Sequence, residues 1–275
     1  MAQSAQFTKQ KELFGHPVGL YILFFTEMWE RFSYYGMRAL LVLYMTASTI
    51  QGTDARGTGL GWTDQEALAL YGWYTMLVYI ASIPGGMIAD KLIGQKKAVL
   101  LGAVILCIGH GVLVLTDVWA FYTGLGLVIA GVGLLKPNIS TMVGGLYKEG
   151  DIRRDKGFSI FYIGINTGSL IATLVIGFVV AEYGWHAGFG LAGIAMVLGL
   201  IVYLYGQKYL KNVGSLLKAE NKDDEISYGK LYGELFRSPM QLVVTGILII
   251  LSIVQLWNMA MKYCPQHVHR LIDTL

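Results

Sequence analysis

The sequence predicts an all-α membrane protein: six transmembrane helices in one bundle, followed by one further transmembrane helix. Three observations carry that prediction. Of 275 residues, 55% are hydrophobic and only 14% charged, against about a quarter charged in a soluble domain. Uncharged runs recur at about 20 residues, the length a helix needs to cross a hydrocarbon layer roughly 30 Å thick. The Lys and Arg residues outside those runs fall almost wholly in alternate loops. This composition excludes a disordered chain and a nucleic-acid binder built on basic patches. Cys107 and Cys264 are the two cysteines, which gives neither a disulfide framework nor a metal spacing. Cys107 lies in an apolar run and reads as an inert core thiol. No nucleophile–base pair and no metal set stands out, so neither an enzyme nor a cofactor is expected.

Taken in order, residues 1–19 form a cytoplasmic lead-in without the apolar core of a cleaved signal peptide, so the first span stays in the mature chain. Span 1, Leu20–Thr46, is apolar apart from Glu27, Glu30, Arg31 and Arg38. Thr63-Asp64-Gln65-Glu66 reads as a capping box opening span 2, Ala67–Ala89. Span 3 is Ala98–Thr116. Span 4 starts at Val118, is stopped by Lys136-Pro137 and resumes through Tyr147. Gly157–Ala181 and Tyr183–Gln207 are spans 5 and 6, completing a bundle over 20–207. A charged cytoplasmic linker, 208–239, leads to a seventh span at 240–262 and a tail, 263–275, of unknown role. The tail's His267 and His269 read as incidental rather than as metal ligands.

The segments before span 1, between spans 2 and 3, between spans 4 and 5 and after span 6 hold 15 Lys and Arg, while the loops after spans 1, 3 and 5 hold only Arg56. The positive-inside rule then places the N-terminus in the cytoplasm. Glycines paired as Gly164/Gly168, Gly184/Gly188, Gly131/Gly133 and Gly144/Gly145 read as close helix contacts.

The chemistry begins in span 1. On a helical projection Glu27, Arg31, Tyr34 and Arg38 fall within about 60° of one another. Glu30 and Tyr35 flank them, and Gly36 points the opposite way. Each charge at mid-membrane costs roughly 2.5–3.5 kcal/mol on an insertion scale. Four exceed what the ten Leu, Ile, Phe and Val residues of the span return, so this face needs partners or a wet cavity. Beyond a fixed ion pair, two acids and two tyrosines on one stripe suit a proton-responsive site. A glutamate beside Arg31 is poised, because an anion that binds the guanidinium shifts the glutamate toward protonation. Tyr79, Lys136 and Asn166 sit at a depth like that of Arg31, about 9–11 residues from the cytoplasmic ends of their spans. Lys136 at mid-membrane calls for an anion, and midplane sites are where secondary transporters bind substrate.

Three motifs carry a resemblance. Glu27-Met28-Trp29-Glu30-Arg31-Phe32-Ser33-Tyr34-Tyr35-Gly36 matches ExxERFxYYG in full. The stretch from Gly85 to Val99, with Asp90, Lys91, Gly94, Lys96 and Lys97, is similar to a signature loop after span 2. Phe161 to Ser169, around Asn166, is similar to a second signature in span 5. Together they resemble the proton-dependent oligopeptide transporter family of the major facilitator superfamily, over roughly 13–210 and more weakly beyond.

The resemblance implies two six-helix bundles rocking around a central site, in a multi-pass protein of the bacterial inner membrane. It implies proton coupling at Glu27, Glu30 and Arg31. Substrate binding falls to Arg31, Tyr34, Tyr35, Tyr79, Lys136 and Asn166, with Arg31 and Lys136 on the peptide carboxylate. Gating falls to Arg38 outside and to Asp90 and Lys91 at the cytoplasmic end. The partners it implies are a di- or tripeptide, the lipid bilayer and a C-terminal six-helix bundle outside this chain; the coupling ion is the proton, with no other cofactor. The expected function is proton-coupled symport of di- and tripeptides, with this chain as an N-terminal portion not competent alone. The alternatives are a transporter of nitrate or another anion on the same scaffold and a non-transporting, truncated membrane remnant.

Overall fold

The computed structural model describes residues 11–216, apart from 53 and 212, all within the unit Met1–Leu217 of the two into which the chain divides. Residues 1–10, most of the 208–239 linker, the expected span at 240–262 and the 263–275 tail with Cys264, His267 and His269 lie outside the described residues.

A two-residue hairpin, β1 (Glu12–Leu13) and β2 (His16–Pro17), pairs antiparallel with Glu12 opposite Pro17. Six long helices follow: α1 (Val18–Thr46), α2 (Asp64–Ile88), α3 (Gln95–Leu113), α4 (Val118–Gly145), α5 (Arg153–Tyr183) and α6 (Trp185–Gly206). A π-helical turn, Ala89–Ile93, extends α2, and a 3-10 turn, Gln207–Tyr209, follows α6. With its π turn, α2 is long and apolar enough to cross a bilayer, as are α3, α4, α5 and α6. At 29 residues, α1 is long enough as well, and its four charges set it apart.

Local sequence fixes the helix ends. Thr63 accepts from the Glu66 backbone N–H while the Glu66 carboxylate accepts from the Thr63 N–H at 2.8 Å, the expected capping box. Asp117 caps α4 by accepting from the Trp119 N–H at 3.1 Å. Gly94 (φ 80°) and Gly184 (φ 87°) separate α2 from α3 and α5 from α6, in a conformation open to glycine at little strain. Gly184 breaks the chain path and also lies against the Arg56 carbonyl, while Gly188, read as its packing mate, packs against Leu40 of α1 and Val180 of α5.

One expectation is corrected. Span 4 is not stopped at Lys136-Pro137: α4 runs unbroken through both residues. Proline removes the N–H that would meet the Gly133 carbonyl, and Gly85 of α2 packs against that carbonyl. Asn138 Nδ2, one residue on, donates to Leu134 O at 2.7 Å and across to Gly85 O at 3.3 Å. A proline is tolerated inside a membrane helix where neighbouring helices pack around it, as α2 does here.

Packing runs through small residues, as it must where lipid supplies no hydrophobic drive between helices. A Cβ at Gly102 on α3 would meet the Gly131 carbonyl of α4, and one at Gly168 on α5 would collide with the Met28 carbonyl of α1. In consequence α1 lies against α5 and α6, and α4 against α3 and α2. The burial pattern inverts that of a soluble protein. Thr26, Glu27, Glu30, Arg31, Ser33 and His110 are buried, while Leu170, Leu174 and Phe178 along α5 are exposed.

Candidate proton and substrate site

The site is built on α1. Arg31 Nε stands 2.8 Å from Glu27 Oε1 and 2.7 Å from Glu30 Oε2. The three residues are 3%, 2% and 0% exposed. Their spacing explains the triad: residues three and four apart share a helix face, so Glu27 reaches Arg31 from the preceding turn while Glu30 approaches from beside it. The α5 helix closes over them, with Gly168 tight against Met28 and the Arg31 Cβ. Pairing is incomplete, since Glu27 Oε2, Glu30 Oε1 and Arg31 Nη2 are buried without hydrogen-bond partners. Two carboxylates against one guanidinium also leave one negative charge to be balanced.

Tyr34 lies on the same stripe, its ring centre 5.6 Å from the Arg31 guanidinium carbon. Tyr35, half-buried, packs edge-on to Tyr34 at 5.4 Å. On α4, Lys136 Nζ stands 4.3 Å from the ring centre of Tyr79 on α2, and Lys136 is within Coulombic range of Glu30. The structure therefore gathers Glu27, Glu30, Arg31, Tyr34 and Tyr35 directly, with Lys136 and Tyr79 beside them. Tyr79 is 57% exposed.

The remaining expected residues stand apart. Asn166 lies on the exposed face of α5, donating to its own helix at Tyr162 O (2.9 Å). It shares a shallow groove of about 400 Å³ with Phe158, Ser159, Tyr162 and Ile163. Arg38, two turns beyond Arg31, donates through Nε to the Tyr71 hydroxyl, its guanidinium carbon 5.0 Å from that ring centre. Asp90 and Lys91 occupy the exposed π turn, about 16 Å along the helix from Tyr79.

Sequence reasoning missed Tyr71 and Tyr74. Tyr74 is buried and stacks on Tyr34, with ring centres 6.5 Å apart and planes 27° apart. A signal existed: Ala67, Tyr71, Tyr74 and Val78 recur at helical spacing on one stripe of α2.

Residues 96–226 match the family model for the POT family, PTR2. The chain is 43% identical over 245 residues to the uncharacterized transporter YclF of Bacillus subtilis (strain 168), an alignment covering 89% of this chain and 47% of the relative. The chain belongs to the POT family. It is also 47% identical over 199 residues to a di-/tripeptide transporter of Lactococcus lactis subsp. cremoris, covering 72% of this chain and 39% of that one. A crystal structure of peptide transporter POT in complex with sulfate superposes with a TM-score of 0.72 at 41% identity, over 91% of this chain and 49% of the other. The chain spans less than half the length of these curated relatives. Its six helices are the N-terminal six-helix bundle of a major facilitator fold, in a multi-pass integral membrane protein of a transporter family.

Proposed function

We propose that the protein carrying this sequence couples protons to the uptake of di- and tripeptides across the bacterial inner membrane, with its N-terminus in the cytoplasm. One observation carries the reading: Arg31 is held by two buried carboxylates while its Nη2 has no partner, so the triad can accept both an anion and a proton. A peptide carboxylate on the outer edge of Arg31, helped by Lys136, competes with Glu27 and Glu30 for positive charge, and the displaced glutamate then takes up a proton. Tyr34, Tyr35, Tyr79 and Asn166 line the peptide's path. Arg38 serves the outer gate; Asp90 and Lys91 serve the cytoplasmic one, each against a C-terminal six-helix bundle. Peptide transporters among the relatives and a bound sulfate, itself an anion, in a related structure support the assignment.

Glu27→Gln and Glu30→Gln, tested in the protein that carries this sequence, distinguish coupling from binding. Proton-driven accumulation of dialanine is expected to be lost while dialanine counterflow persists. Glutamine variants that still accumulate peptide against a gradient would remove the glutamates from coupling.

A further inference from the structure

The stripe of α2 that faces α1 carries two tyrosines to which the proposed mechanism gives no task. Tyr71 receives Arg38, and one turn further on Tyr74 stacks on Tyr34, whose ring in turn lies against Arg31. The two helices thus meet through Tyr34 and Arg38 on one side and Tyr71 and Tyr74 on the other. Tyr74 is 2% exposed and its hydroxyl has no hydrogen-bond partner. A phenylalanine would make the same stack and spare the desolvation of an unsatisfied hydroxyl. Glu30, fully buried, likewise keeps Oε1 without a partner, and Tyr74 is within Coulombic range of Glu30, Tyr34, Arg38 and Tyr71. The other charged groups around Glu30 are Glu27 and Arg31 on its own helix and Lys136 on α4.

We infer that Tyr74 is a positioning residue of the proton site: its hydroxyl donates to the Glu30 carboxylate while that group is charged and lets go when it takes up a proton. The inference rests on the reading of Glu30 as a proton carrier. It explains why two buried polar groups within Coulombic range of each other both lack a partner, since each is the partner of the other in a different state of the cycle. A donor to a carboxylate favours the charged form, so removing the hydroxyl makes Glu30 easier to protonate.

Tyr74→Phe, in the protein that carries this sequence, tests this through the pH profile of driven dialanine uptake, with monodisperse elution in detergent as the check on folding. The pH at which uptake falls to half is expected to rise by about half a unit to one unit. Thr75→Val deletes the adjacent buried hydroxyl, which also lacks a partner, and is expected to leave that pH in place. A Tyr74→Phe profile that coincides with the parent's, or moves to lower pH, overturns the inference while leaving Glu30 as proton carrier. A Tyr74→Phe protein that does not fold overturns it as well, because the hydroxyl is then a structural member. Absence of dialanine counterflow in the parent sinks the transport reading itself, which separates the two failures.

Discussion

Among the described residues an arginine stands between two carboxylates at two places, one exposed and one buried. Near the hairpin, Arg153 Nη2 meets Asp151 Oδ2 at 2.9 Å and Arg153 Nη1 meets Glu12 Oε1 at 3.0 Å, with the arginine side chain 41% exposed. In α1, Arg31 meets Glu27 and Glu30 at similar distances with all three buried. Water completes the hydrogen bonding of the first triad and screens it, so it serves as a modest clasp holding the hairpin to the α4–α5 loop. His16 adds to that clasp: its Nδ1 lies 2.8 Å from the Tyr147 hydroxyl. The second triad is buried away from bulk solvent, so groups inside the protein, Lys136 among them, must balance its charge. The arrangement that makes a surface clasp at the hairpin becomes, inside the bundle, the site proposed to take up a proton and a ligand.

Several substitutions set the two triads against each other. Arg31→Met strands two buried carboxylates and is expected to lower stability by about 3–5 kcal/mol, read as a large drop in the thermal midpoint in detergent. Arg153→Met should leave that midpoint almost unchanged. Gly168→Ala places a methyl group against Met28 and Arg31 and wedges α5 from α1. An expected loss of about 1–3 kcal/mol should come with solvent reaching the α1 triad, measurable as faster hydrogen exchange across residues 26–32. Raising the salt concentration should loosen the surface clasp, seen in exchange at the Val18 N–H that bonds Lys11 O, without affecting the buried triad.

Acid has the smallest effect. The Arg153 side chain and then its backbone N–H hold the Asp151 carboxyl below its usual range. Its contribution is therefore complete above the ordinary aspartate value of about 3.9 and is lost only as the pH falls through the lower folded value. The protection factor of the hairpin amides, exchange corrected for its intrinsic pH dependence, should stay constant from neutral pH down to about 4, while Asp151→Asn should lower it slightly across that whole range.

Much of this was legible before any coordinates. The α1 stripe follows from helical spacing alone, and the shared depth of Tyr79 and Lys136 anticipates the contact between them. Gly164 and Gly168 read as a close-contact face of α5; that the helix against them is α1, through Phe24 and Met28, is shown by the structure. Pro137 does not end the helix, because a proline's effect depends on the packing around it, and Gly85 of α2, which lies against the Gly133 carbonyl, belongs to that tertiary setting. Tyr71 and Tyr74 were passed over because aromatic rings at helical spacing ordinarily mean packing. Only the rotation of α2 against α1 shows that their hydroxyls approach charged groups. Asn166 lies on a face of α5 that nothing among the described residues covers, so its assignment still rests on the motif around it.

The central claim is that one buried triad takes up a proton together with a peptide carboxylate. Proton uptake on dialanine binding, measured calorimetrically at fixed pH in buffers of different ionisation enthalpy, tests it most directly. The account predicts net uptake of protons by the parent and none by Glu30→Gln. Binding with no change in bound protons in the parent, or equal uptake in Glu30→Gln, would contradict it.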